Sequence, residues 1–125
     1  MRRDDSVERL PVTLSALRTL IGDNEAAARS IVRNFLTHSI EGAKQLRVAC
    51  AANRFAAVSD AAHKLKSAAG AIGAFELADL CVQIERASGM GNSTMLAALL
   101  VLFNREEASV VAFLATREQE DTPFL

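Results

Sequence analysis

An all-α architecture is expected for this 125-residue chain: an up-and-down antiparallel four-helix bundle with a short additional N-terminal helix. Three properties lead there. Half of the residues are hydrophobic, yet the aromatics are six Phe with neither Trp nor Tyr, and Ala and Leu dominate, which favours helix over strand. Apolar residues recur at helical rather than alternating spacing along most of the chain. The interruptions between these runs are short, so consecutive helices become antiparallel neighbours. The length suits a single domain, 1–125, with 1–10 and 118–125 expected as flexible ends.

The first helix is expected from near Pro11, a residue tolerated in a first helical turn, and carries Leu14, Leu17, Leu20 and Ile21 before Gly22 ends it. Asp23 or Asn24 can cap the second helix, with Glu25 favourable in its first turn. It runs to about Ala52 through Ile31, Val32, Phe35, Leu36, Leu46 and Ala49. Asn53 breaks the pattern, and a third helix occupies 54–71. Gly70, Ile72 and Gly73 mark a tight turn. A fourth helix follows from Ala74 to about Ser88, with Leu77, Leu80, Cys81 and Ile84 inward, and 88–92 reads as the clearest loop. The last helix, capped by Asn92 or Ser93, presents Leu96, Leu99, Leu100, Phe103, Val110, Phe113 and Leu114 until charges gather near Arg117. Phe35, Phe55, Phe103 and Phe113 fall at bundle-facing positions and are expected in the core.

Composition narrows the function classes. A net charge of −1 gives no broad basic surface for nucleic acid or an anionic membrane. The first ten residues are dense in charge and have no apolar run, unlike a signal peptide, and no stretch approaches the roughly 18 apolar residues of a membrane span. A cytoplasmic monomer is expected. Cys50 and Cys81 sit on apolar helix faces and read as two reduced core thiols.

On the third helix, His63 stands opposite the apolar face. At roughly 100° per residue, Val58, Ala61, Ala62, Leu65, Ala68, Ala69 and Ile72 lie within about 60° of the direction facing away from it. Ala56, Ser59, Asp60, Lys66, Ser67 and Gly70 lie within about 60° of the histidine itself. An imidazole is thus shown to solvent among small residues and one cation. His38 lacks such a context and reads as a structural or surface residue.

Most catalytic templates find no match. No glycine-rich loop stands between a strand and a helix to cradle a nucleotide. The two histidines lie on different helices with no carboxylate at metal-ligand spacing, so no metal and no cofactor are expected. Ser67, one turn after His63, lacks the orienting acid and oxyanion donors that acyl transfer needs. What remains is the histidine as nucleophile, because a neutral imidazole attacks a phosphoryl group through a free ring nitrogen. Lys66, at i+3, is placed to meet the charge on the phosphoryl oxygens, and Ser67 can add a hydroxyl donor.

The stretch from His63 to Ala74, His-Lys-Leu-Lys-Ser-Ala-Ala-Gly-Ala-Ile-Gly-Ala, followed by Leu77, Cys81, Ile84 and Glu85, resembles the signature of histidine-containing phosphotransfer (HPt) domains. Leu20-Ile21-Gly22-Asp23 and Phe35 extend the likeness upstream, so that it spans 12–117, with 61–85 its specific part. The resemblance implies that His63 takes a phosphoryl group on Nε2 from a receiver-domain phosphoaspartate and passes it to another receiver aspartate. Lys66 then steadies the phosphoryl group, and Glu85 holds the other ring nitrogen and so the tautomer. Ser67 replaces the family's usual glycine, which bears on how closely a receiver docks. Ser59, Asp60, Lys64, Ser67, Gly70 and Phe75 are the docking residues expected around the histidine.

Such a domain is a substrate and carrier rather than an autonomous enzyme, with the Mg2+ and acidic pocket supplied by the receiver. Its expected partners are response-regulator receiver domains, including those of a hybrid sensor histidine kinase. An alternative keeps the bundle but uses the His63 face to bind or sequester a non-receiver regulatory partner. Binding of that kind survives His63→Gln, whereas phosphate capture does not.

Overall fold

The computed structural model describes residues 10–120 and 123–125. Among them are five α-helices and no strand: α1 (Leu14–Ile21), α2 (Glu25–Ala51), α3 (Phe55–Ala71), α4 (Phe75–Gly89) and α5 (Ser93–Gln119). Each of α2 to α5 packs against two of the others, closing a ring in chain order, and α1 lies against α2 and α3. Cross-helix pairs descend on one helix as they rise on its neighbour. Arg33 meets Glu118 while Arg47 meets Asn104, and Ser88 reaches Phe55 while Glu85 faces His63.

The helix ends follow from local chemistry. Asn24 caps α2 by accepting from the Ala27 amide at 3.0 Å, and Asn92 caps α5 by accepting from Met95 at the same distance. The chain turns between α2 and α3 at Asn53, which takes a left-handed φ of 53° that asparagine tolerates better than most residues. Gly73 allows the tighter turn between α3 and α4, with φ of 87°. It also admits the Thr13 backbone, whose amide donates to the Gly73 carbonyl at 2.9 Å; an added Cβ at 73 would collide with the Thr13 carbonyl oxygen.

The core is a single cluster drawn from all five helices. Val32, Leu46, Val58, Leu77, Ile84, Phe103 and Leu114 are buried at its centre. Burying a side chain the size of Phe103 stabilises the fold by roughly 1.5–3 kcal/mol. Phe35 is buried too, and Phe55 and Phe113 pack against the cluster half-covered. Both thiols are free, Cys81 fully buried and Cys50 half-buried.

Three expectations change. The first helix begins at Leu14 rather than near Pro11, because the Thr13 amide is engaged by Gly73 and Val12 is buried ahead of the helix. The fourth helix continues to Gly89, and Ser88 is helical and buried, its hydroxyl donating to the Phe55 carbonyl. The described part of the segment expected to fray, 118–120 and 123–125, is packed against the bundle. Helix α5 reaches Gln119, Glu118 pairs with Arg33 at 2.9 Å, and Phe124 is 1% exposed. The expectation for the amino end, apart from Leu10, falls on residues outside the described ones.

Candidate functional site

The site is laid out by the amphipathicity of α3. Its inner positions, Val58, Ala62, Leu65 and Ala69, are buried, which fixes the rotation of the helix about its axis. His63 therefore points outward, with 60% of its side chain exposed. Helix α4 crosses beside it with Leu77, Leu80, Cys81 and Ile84 buried, and this places Glu85 on the rim facing α3.

Glu85 links the two other polar groups. One carboxylate oxygen, Oε2, lies 3.3 Å from His63 Nδ1, and the other, Oε1, lies 3.9 Å from Lys66 Nζ. Glu85 and Lys66 are each about two-thirds covered, so both charges act in a partly desolvated setting. The carboxylate occupies one edge of the imidazole, and Nε2 is the ring nitrogen directed away from it. Behind Glu85 sits the Cys81 thiol, whose pKa is pushed up to about 12 by burial first and the Glu85 charge second, with Lys66 opposing. That thiol is inert as a nucleophile near neutral pH.

His63, Lys66 and Glu85 are thus brought together across α3 and α4. Ser59, Ser67 and Gly70 continue the His63 side of α3, with Ser67 exposed and open space where a Cβ at Gly70 would stand. Asp60 is exposed one turn before the histidine. Lys64 turns toward α2 instead and lines a groove with His38, Glu41, Gln45 and Leu65. Phe75, 52% exposed, stands beyond the end of α3 at the start of α4. His38 is exposed, and its Nδ1 lies 2.9 Å from the Asn34 carbonyl oxygen. The sequence reading missed the groove between α2 and α3, because it arises from two helices meeting where Gly42 lets Leu65 approach.

Among the described residues no group of three or more His, Cys, Asp or Glu could hold a metal ion, and no helix is long and apolar enough to cross a membrane. The sequence model of the Hpt domain matches residues 30–109, which is more than half of the chain and includes His63, Lys66 and Glu85. The chain belongs to the Hpt domain family. The crystal structure of histidine-containing phosphotransfer protein B from Pseudomonas aeruginosa PAO1 is similar in fold, with a TM-score of 0.80 and 25% sequence identity. The match covers 87% of this chain and 95% of that one. No curated protein gives a significant match. Hpt domains are phosphocarrier modules, and this membership gives the chain a histidine phosphotransfer role in phosphorelays.

Proposed function

We propose that His63 accepts a phosphoryl group on Nε2 from the phosphoaspartate of a receiver domain and hands it to the aspartate of another. The observation that carries this is the Glu85 carboxylate at 3.3 Å from Nδ1 of a ring that is otherwise open to solvent. A carboxylate there favours the proton on Nδ1, which leaves the lone pair on Nε2. That pair attacks phosphorus as the bond to the aspartyl oxygen breaks, and the carboxylate of the donor departs with the bonding electrons. The ring gains positive charge on forming the N–P bond, and Glu85 offsets it. Lys66, held 3.9 Å from Glu85, is near enough to swing to the phosphoryl oxygens once they arrive.

The reverse attack, by a receiver carboxylate on the phosphohistidine, uses the same groups. Mg2+ belongs on the receiver in this scheme, and the carrier contributes no cofactor. Ser59, Ser67 and Gly70 leave room for the receiver's active-site edge, while Asp60 and Phe75 form a polar and apolar rim. The descending cross-helix pairs support reading the ring of α2 to α5 as an up-and-down bundle with α1 as the additional helix.

Receiver domains charged with acetyl phosphate in Mg2+ and mixed with the chain test the proposal. Phos-tag electrophoresis is expected to show acid-labile phosphate on the wild type and none on His63→Gln, with identical circular dichroism. Phosphate retained by the His63→Gln variant would rule the assignment out.

A further inference from the structure

The segment 123–125 rests in a cradle made by three charged side chains. Glu25, in the first turn of α2, accepts the Phe124 amide on Oε2 at 2.9 Å and the Leu125 amide on Oε1 at 3.2 Å. Arg29, one turn further, places its guanidinium 5.1 Å from the centre of the Phe124 ring, and its Nε lies 3.5 Å from Glu25 Oε2. Arg117 of α5 donates from Nη2 to the Pro123 carbonyl at 2.9 Å and stands over the Phe113 ring at 5.3 Å. Phe124 is buried to 1% exposure, and with Leu125 it walls a pocket whose other side is Leu14, Ser15 and Arg18 of α1.

Each of these contacts holds backbone or ring of the segment, and the two amides on one carboxylate show that its successive N–H groups face the same side. A carboxylate that takes two consecutive amides makes two charge-assisted hydrogen bonds, a guanidinium over a ring adds a cation–π attraction, and a second guanidinium secures the preceding carbonyl. We propose that Glu25, Arg29 and Arg117 form a binding site for a short peptide segment with a buried aromatic side chain. Its resident ligand is the chain's own Pro123–Phe124–Leu125, which latches α1 to the bundle. Helix α1 needs such support. It has eight residues, too few for stability alone, and of these only Leu17 is buried. The tether keeps the segment at an effective concentration in the millimolar range, so a peptide in trans competes only when the latch is weakened.

Amide hydrogen exchange measured by NMR on the full chain tests this. In the wild type, the Phe124 and Leu125 amides are expected to exchange at least tenfold more slowly than in an unstructured peptide. In Phe124→Ala, the amides of 18–21 in α1 exchange at least tenfold faster, while those of Leu65 and Ala69 in α3 keep their rates. Glu25→Gln, which retains the ring and removes the charge, gives an intermediate loss. A synthetic peptide of residues 119–125, added at millimolar concentration to Phe124→Ala, restores the protection of α1, and the same peptide with alanine for phenylalanine does not. Unprotected 124–125 amides in the wild type, or no restoration by the peptide, overturns the proposal.

Discussion

At the level of single residues, the site rests on a division of labour between the two edges of one imidazole. Glu85 engages Nδ1 and shares its other oxygen with Lys66, so changing Glu85 disturbs the ring and the cation together. Replacing it by Leu removes the hydrogen-bond acceptor and the charge, and we expect phosphotransfer from a charged receiver to slow by about tenfold, the equivalent of roughly 1.4 kcal/mol. Glu85→Gln keeps an acceptor oxygen for Nδ1 and is expected to recover part of that rate. Single-turnover transfer measured by quenched flow separates the variants, and equal rates for wild type and Glu85→Leu would remove Glu85 from the mechanism. Lys66→Ala is expected to slow transfer by a similar factor without altering the fold, because its ammonium lies on the rim of the bundle.

The helices show which glycines the elements require. Gly73 has φ of 87° and the Thr13 backbone against it, so Gly73→Ala is expected to cost on the order of 2–4 kcal/mol and to loosen α1, as a lowered urea midpoint would record. Gly70 lies inside α3 with nothing near its absent Cβ. Gly70→Ala is therefore expected to raise stability by roughly 0.5–1 kcal/mol while slowing transfer several-fold, since the new methyl group stands on the His63 side of the helix. Higher melting temperature with slower transfer distinguishes a glycine kept for access from one kept for the backbone. Much of this level was legible in the sequence. Periodicity located every helix to within a few residues, because the buried stripes of α2 to α5 are continuous. The rotation of α3 was legible as well, since its apolar arc defines the outward direction of His63. Where elements meet was not. The approach of Thr13 to Gly73 and the burial of Ser88 under Phe55 depend on pairings 60 and 33 residues apart, respectively, that helical spacing does not encode. The pairing of Glu85 with His63 came from resemblance to a family signature and not from periodicity, for the same reason.

Over the whole molecule, the end of the chain was the least legible part. A run of charges followed by Pro123 looks like a fraying terminus, whereas Phe124 finds Glu25, 99 residues earlier, and is buried. Burial on this scale also sets the response to pH. Cys81 is fully covered, and burial first and the Glu85 charge second push its thiol up from the ordinary 9.0 to about 12. An acid whose folded pKa is raised leaves the folded state holding more protons than the unfolded chain above the unfolded value. Its stabilising contribution is therefore complete below about pH 9 and is lost as the pH climbs toward 12. At pH 10.5 the loss expected from this thiol is about 2 kcal/mol. Urea unfolding of wild type and Cys81→Ala at pH 7.5 and 10.5 isolates it, since other alkaline titrations are common to both proteins. The wild type is expected to lose about 2 kcal/mol more than the variant between the two conditions. An equal loss in both would mean that the thiolate is accommodated in the fold, and that the helix face behind Glu85 is wetter than the packing of α4 allows.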